Sequence, residues 1–223
     1  MGNETEIKLK IDDPRALERA LRKIGAKPRT PGCPRVREEN ILFDTADSSI
    51  ARAGQLLRIR TELADGKGKK AGAAERTLLT FKRPIVESSH REAAVLHHDY
   101  KVREELELEV ADGATLGRIF AGLGLKGWFR YEKYRTTYKL PLARSWAKGL
   151  LIEVDETPIG TYVELEGPEP AIDRAAAELG FSKRDYITKN YLLLYLEECK
   201  RRGQPARDMV FPAASPPRKP RSR

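Results

Sequence analysis

The sequence predicts an α+β fold in which a closed antiparallel barrel of eight strands surrounds a charged lumen and amphipathic helices pack outside. Strand-like segments alternate between charged and apolar residues at a period of two. Short segments with one apolar helical face lie between several of these strands. An open sheet of this size would leave two exposed edges, which a closed barrel removes.

The first predicted strand covers residues 4–11, which read ETEIKLKI. Glu4, Glu6 and Lys8 share one face of this strand, and Ile7 and Leu9 share the other. An ordinary half-buried strand also alternates between charged and apolar residues. Here, however, both signs of charge lie on one face, so that face needs a further explanation.

The remaining predicted strands cover residues 35–45, 55–63, 76–83, 100–110, 127–140, 150–156 and 162–167. Most of them repeat the alternation, and Lys10 continues it at the end of the first strand. Charged side chains in the remaining strands stand at every second position: Arg58, Arg60, Lys82, Glu105, Glu107, Glu109, Lys133, Arg135, Glu153, Asp155, Glu164 and Glu166. A solvated outer face with cross-strand ion pairs explains any single strand of this kind. A whole series favours charged faces that point inward, with helices covering the apolar faces.

Three predicted helices share one pattern, an opening Asp or Pro, an apolar face and a closing Gly. Their first and last positions are Asp13 and Gly25, Asp112 and Gly124, and Pro168 and Gly180. A fourth helix is predicted over residues 185–200. Helices that recur after strands in this way supply the outer cover that the barrel needs.

The composition predicts one domain, residues 1–200, followed by a basic, Pro-rich and disordered tail at residues 201–223. The chain of 223 residues has 42 Lys and Arg against 33 Asp and Glu, which gives a net charge of +9. Most of this excess lies in the tail. The charge therefore gives no reason to expect nucleic acid as a partner, and a solvated tail is the preferred interpretation.

Cysteines and histidines give no sign of a metal or disulfide framework. Cys33 and Cys199 lie in no metal-ligand or disulfide spacing, which is typical of a reducing compartment. His90, His97 and His98 fall in a polar break and are expected at the surface. With no apolar run of membrane length and no signal peptide, we expect a cytoplasmic protein without a membrane partner.

A lumen lined with charges of both signs is costly unless the charges are paired, hydrated or occupied by ions. Clustered Arg and Lys suit phosphate oxygens. Clustered carboxylates suit Mg²⁺ or Mn²⁺, which prefer oxygen ligands and bridge to phosphates. The pattern therefore predicts a polyphosphate ligand that binds together with divalent cations.

The segment Glu4-Thr5-Glu6-Ile7-Lys8 matches the ExExK signature of the CYTH proteins, also called triphosphate tunnel metalloenzymes. These include class IV adenylyl cyclases, thiamine triphosphatases and inorganic triphosphatases. Further matches follow in the family's order at residues 40–45, 57–60, 80–82, 103–107, 133–135, 154–156 and 160–166. The chain resembles this family over about residues 3–196, and the resemblance implies a tunnel-like barrel that holds a triphosphate.

By matching position, the resemblance implies phosphate binding by Lys8, Arg58, Arg60, Lys82, Lys133 and Arg135. It implies binding of Mg²⁺ or Mn²⁺ by Glu4, Glu6, Glu107, Asp155, Glu164 and Glu166. Catalytic roles in metal-assisted attack by water are expected for Glu4, Glu6, Glu107 and Asp155. Lys189 resembles a basic residue that some members close over the phosphates, and Arg37 is a weaker candidate of this sort.

The sequence favours a metal-dependent triphosphatase acting on tripolyphosphate or a related triphosphate. The alternatives are a class IV adenylyl cyclase, which would use the same cations and metals, and a polyphosphate or nucleotide binding module without turnover. The oligomeric state, including a homodimer, is left open. The Gly- and Lys-rich segment at residues 64–73 is either an idle hairpin tip or a flap over the tunnel mouth.

Overall fold

A computed structural model describes residues 2–31, 35–64, 76–85 and 99–212. The strands are β1 (Gly2–Ile11), β2 (Lys27–Pro28), β3 (Arg35–Asp44), β4 (Leu56–Ala64), β5 (Arg76–Pro84), β6 (Lys101–Val110), β7 (Lys126–Lys139), β8 (Leu151–Thr157) and β9 (Gly160–Glu166). The helices are α1 (Pro14–Lys23), α2 (Ser49–Arg52), α3 (Gly113–Gly122), α4 (Glu169–Glu178) and α5 (Tyr191–Arg202).

Eight of the strands form a closed antiparallel barrel. Their order is β7-β3-β4-β5-β6-β1-β9-β8, and β8 pairs with β7 to complete the circle. The short strand β2 adds to the edge of β7. The predicted fold class is confirmed, and every predicted barrel strand is present with ends within two residues of those expected. The sequence analysis predicted neither β2 nor the four-residue helix α2.

The main hydrophobic core lies outside the barrel, between the strands β1, β8 and β9 and the helices α1 and α4. Ile7 and Leu9 of β1 are completely buried there, as are Ile172 and Ala175 of α4. Leu17 of α1 packs into the same cluster. The apolar faces of the strands therefore point outward to the helices, as the alternation predicts.

Helix α1 begins and ends where the sequence indicates. The Asp13 carboxylate accepts hydrogen bonds from the backbone N–H groups of Arg15 and Ala16, and Pro14 occupies the first helical position. Gly25 follows the helix at a φ of +74°, a conformation that L side chains rarely adopt. These local signals place the apolar face of α1 against β1.

Helix α5 begins later than predicted. The sequence analysis placed its start near Asp185, but residues 183–185 form a separate 3₁₀ turn and the helix starts at Tyr191. Between them, Ile187 exchanges both backbone hydrogen bonds with Lys8 of β1, which requires extended backbone. The Asn190 side chain then accepts from Leu193 N–H and caps the helix. Tertiary pairing thus overrides the helical pattern of residues 185–189.

The first half of the predicted disordered tail is packed, which corrects the prediction for residues 201–212. Helix α5 continues to Arg202, and the following segment pairs with the free edge of β7. Met209 N–H donates to the Arg130 carbonyl, and Glu132 N–H donates to the Met209 carbonyl, each at 2.9 Å. Met209 is 1% exposed and lies among the aromatic residues beneath α5. The buried Met209, its backbone pairing with β7 and the ring contact between Phe211 and Tyr134 thus attach this segment to the barrel.

Several predictions fall outside the described residues: those for Cys33, the three histidines, most of the Gly- and Lys-rich segment, and residues 213–223. Cys199 is a free, buried thiol on α5. In the part of the chain that the structure describes, no helix has the length and apolar character needed to cross a membrane.

Candidate active site in the barrel lumen

The inner faces of the strands enclose a polar cavity of about 240 Å³. Its cationic lining consists of Lys8, Arg58, Arg60, Lys82, Lys101, Arg103, Lys133 and Arg135. Its acidic lining consists of Glu4, Glu6, Glu105, Glu107, Glu153, Glu164 and Glu166. The structure therefore brings together every predicted phosphate-binding residue except Lys189 and every predicted metal ligand except Asp155.

Strand pairing explains why carboxylates gather on one side of the cavity. In the β1–β9 ladder Glu6 lies opposite Glu166, and Lys8 lies opposite Glu164. Glu4 lies two residues before Glu6 on the same face. Adjacent strands thus contribute four carboxylates at neighbouring positions of one wall.

Ion pairs connect the charges of the lumen with one another. Lys82 Nζ lies 2.7 Å from the Glu4 carboxylate. Lys8 Nζ lies 3.2 Å from both the Glu6 and the Glu164 carboxylates. Phosphate oxygens and metal ions would compete for the same partners. Binding of a phosphate to the cations would therefore free carboxylates for a metal, and binding of a metal would free cations for a phosphate.

Two carboxylates on the β1–β9 wall show opposite electrostatic surroundings. Burial raises the pKa of Glu6, but the Lys8 and Lys101 ammonium groups outweigh it and hold this pKa well below its usual range. Burial raises the pKa of Glu166 to about 8, and repulsion from Glu4 and Glu153 adds to the effect. Glu166 therefore holds a proton more tightly than Glu6 does.

The acidic wall suits a divalent cation, although its side chains are not yet arranged around one. Among the described residues, no three His, Cys, Asp or Glu side chains already stand close enough together to hold a metal ion. The donor set on this wall is nevertheless all oxygen, from Glu4, Glu6, Glu164 and Glu166. Carboxylate oxygens are the ligands that Mg²⁺ and Mn²⁺ prefer.

Asp155 lies behind the cavity wall rather than in it. Its carboxylate is completely buried and accepts from Lys133 Nζ at 2.9 Å and from Arg135 Nε at 2.7 Å. It also accepts from the Tyr191 hydroxyl at 2.6 Å. These donors already satisfy both oxygens, so Asp155 in this arrangement anchors Lys133, Arg135 and the first residue of α5. Its roles as metal ligand and catalytic residue stay predictions.

Lys189 and Arg37 lie away from the cavity. Lys189 is half exposed and pairs with Glu197 at 2.6 Å on α5. Arg37 lies on the outer face of β3, where it pairs with Glu39 and Glu132. A role for either residue in closing over phosphates stays a prediction, and Lys189 would have to leave Glu197 to play it.

Sequence reasoning missed several residues in or behind the cavity wall, among them Glu38, Lys101, Arg103 and Tyr131. Lys101 and Arg103 continue the inward positions of Glu105 on β6, so extending the alternation toward the start of that strand would have found them. Tyr131 lines the cavity, and its hydroxyl accepts from Arg58 at 3.1 Å. Glu38 lies behind the cations. Arg37, Glu38 and Glu39 are three charged residues in a row, so the sequence does not alternate there and does not indicate which of them points inward.

Helix α5 closes one end of the cavity. Asn190, Tyr191 and Leu192 at its start line the cavity together with Leu42 and Leu56. This end therefore combines apolar side chains with one amide, in contrast to the charged walls.

Comparisons with known proteins agree with the fold and the motifs. The model of the CYTH domain family matches residues 2–191. A protein of Methanocaldococcus jannaschii, named a candidate adenylate cyclase, is 28% identical over 202 residues, which cover 86% of this chain and 97% of that protein.

Solved structures share the architecture at lower identity. A Vibrio parahaemolyticus protein, also named a candidate adenylate cyclase, is 14% identical with a TM-score of 0.64, covering 86% of this chain and 96% of its own. A Hippeastrum protein is described as a candidate adenylyl cyclase with a dominant triphosphatase activity. It is 21% identical with a TM-score of 0.50, covering 91% of this chain and 97% of its own.

Proposed function

The chain belongs to the CYTH domain family, and we propose that it is a divalent-metal-dependent phosphohydrolase that cleaves inorganic tripolyphosphate or another triphosphate inside the barrel. The observation that carries the proposal is the composition of the cavity. Of the described residues, eight cationic and seven acidic side chains line about 240 Å³. The dominant triphosphatase activity ascribed to the Hippeastrum protein supports the same reaction.

The cations would bind and orient the phosphate chain. Arg58, Arg60 and Lys82 come from the neighbouring strands β4 and β5. Lys133 and Arg135 come from β7, which lies on the other side of β3 from β4. Guanidinium groups bind phosphate oxygens through paired hydrogen bonds, and ammonium groups act as point charges. Cations fixed on three strands of the barrel would hold the substrate in one orientation and stabilise charge that develops on the transferred phosphoryl group.

The carboxylates on the opposite side would hold the metal. Glu4, Glu6, Glu164 and Glu166 are the residues whose position suits Mg²⁺ or Mn²⁺. Once bound there, the metal would offset phosphate charge and lower the pKa of a coordinated water. The protein side chains themselves exclude bulk water, since Glu6, Lys8 and Glu164 are all less than 10% exposed.

A class IV adenylyl cyclase is the second candidate, because the M. jannaschii and V. parahaemolyticus relatives are named candidate adenylate cyclases. A cyclase would use the same cations and metal ligands but direct the ribose hydroxyl at the α-phosphorus and release pyrophosphate. The two reactions differ in which phosphorus faces the nucleophile. The products therefore separate them.

The test is a product assay on the purified full chain with Mg²⁺ or Mn²⁺, offering tripolyphosphate and ATP in parallel. Orthophosphate with pyrophosphate from tripolyphosphate, and no cyclic AMP from ATP, is the expected result. Cyclic AMP with equal pyrophosphate from ATP would overturn the hydrolase in favour of the cyclase. Tripolyphosphate binding without any product would instead indicate a binding module.

A matched pair of variants ties the activity to the acidic wall. The double variant Glu164→Gln with Glu166→Gln should abolish turnover while the barrel still folds. Glu156→Gln on β8 is the control, because Glu156 pairs with Arg35 outside the lumen. Full activity in the double variant would remove these two residues from the metal site.

A further inference from the structure

Glu38 is a buried carboxylate beneath the phosphate-site cations that neither the sequence motifs nor the proposed reaction uses. It is 1% exposed and does not line the cavity. Its carboxylate lies 3.3 Å from Arg60 Nε, 3.4 Å from Lys133 Nζ and 3.5 Å from Arg135 Nε. One hidden negative charge thus faces three cations that all line the cavity.

The strand order explains why this residue reaches all three cations. Strand β3 lies between β4, which carries Arg60, and β7, which carries Lys133 and Arg135. Within the ladders, Glu38 lies opposite Glu62 on one side and opposite Lys133 on the other. Glu38 is therefore placed to bridge cations that belong to two different strands.

The contacts of Glu38 indicate that it acts through its charge rather than through well-formed hydrogen bonds. Its Oε2 atom has no hydrogen bond of good geometry, whereas Asp155 accepts from Lys133 at 2.9 Å. Burial raises the pKa of Glu38, but the attraction of Arg60, Lys133 and Arg135 outweighs it and lowers the pKa to about 2. The carboxylate is thus ionised at neutral pH and supplies charge to all three cations.

We propose that Glu38 is a positioning residue, a buried counter-charge that keeps Arg60, Lys133 and Arg135 together and limits how tightly they hold phosphate. The cations repel one another, since Arg135 lowers the pKa of Arg60. Without Glu38 they would attract a phosphate more strongly but would be held together less well. This inference rests on the proposed function only in taking phosphate as the ligand of the cavity.

The test measures the affinity for pyrophosphate by calorimetry, in metal-free buffer so that no turnover intervenes. Glu38→Gln keeps the size of the side chain and removes its charge, and we expect binding about tenfold tighter than in the unaltered protein. Glu38→Asp keeps the charge and should bind with nearly unchanged affinity. Glu39→Gln is the matched control, because Glu39 is the next residue on the outer face and pairs with Arg37.

A second pair of variants covers the case in which Glu38→Gln does not fold. Arg60→Gln should bind pyrophosphate more weakly, and Arg60→Gln combined with Glu38→Gln should restore affinity, because the net charge of the group returns to its original value. Unchanged or weaker binding in Glu38→Gln, or no restoration in the double variant, would overturn the role of Glu38. Absence of pyrophosphate binding to the unaltered protein would instead count against phosphate as the ligand.

Discussion

The two faces of strand β1 are equally buried and chemically opposite. On the outer face Ile7 and Leu9 are 0% exposed, and on the inner face Glu6 and Lys8 are 5% and 2% exposed. Burial of apolar surface on the outer face stabilises the fold. Burial of the inner charges costs desolvation energy, which their ion pairs must offset before those charges add any stability. The comparison teaches that the outer face is built for stability and the inner face for a ligand.

Replacing an inner charge should separate activity from stability most strongly. Lys8→Met removes one cation from between Glu6 and Glu164, and we expect turnover of the proposed substrate to fall by about 100- to 1,000-fold. Stability should change far less, since Lys101 and Arg135 still pair with these carboxylates. Steady-state kinetics measures turnover, and thermal denaturation measures stability. A large loss of stability with unchanged turnover would show that Lys8 serves the fold rather than a ligand.

The reverse result is expected on the outer face. Leu165→Ala removes a completely buried side chain from the core beneath α4, which should lower the free energy of unfolding by about 3 to 4 kcal/mol. Turnover per folded molecule should stay close to that of the unaltered protein. Urea denaturation measures the free energy of unfolding. An activity assay corrected for the folded fraction measures turnover per folded molecule. A specific loss of activity would show that the two faces are not independent.

Acid should reveal how far an inner charge contributes to stability. The pKa of Glu38 is lowered from its ordinary value of 4.5 to about 2, so its contribution is present above pH 4.5 and is lost as pH falls toward 2. The stability difference between the unaltered protein and Glu38→Gln should therefore be constant above about pH 5 and shrink by about 3 kcal/mol below it. Denaturation curves at several pH values check this, and a difference independent of pH would remove the charge as its cause.

The smallest effect is expected at Lys189. This side chain pairs with Glu197 on the exposed surface of α5, and such pairs contribute little. Lys189→Ala should change stability by less than about 0.5 kcal/mol and leave KM unchanged if the residue stays outside the cavity. A several-fold rise in KM would instead show that Lys189 moves to the substrate.

The alternation of the strands predicted which face each side chain occupies, but not how deep it lies. Glu153 and Asp155 both point inward from β8, yet Glu153 lines the cavity and Asp155 lies behind Lys133 and Arg135. The Asp side chain is one carbon shorter, and three donors enclose its carboxylate. A period of two carries no information about such depth.

Long-range contacts account for the other differences between prediction and structure. Ile187 is extended because it pairs with Lys8, far away in the sequence, so a local helical pattern misplaced the start of α5. Met209 is ordered because its backbone pairs with β7 and its side chain packs in an aromatic cluster. By contrast, α1 was predicted accurately because Asp13 and Gly25 act within one or two turns.

The pairing of β1 with β9 has a consequence for the order of folding during synthesis. Lys8 pairs with Glu164, so strand β1 is synthesised long before its partner β9 is available. Such distant pairing slows folding and leaves the edge of β1 open in the meantime. Charged side chains on a waiting strand discourage its association with other chains. We therefore expect the charges that line the cavity to disfavour edge-to-edge association of the growing polypeptide until the barrel closes.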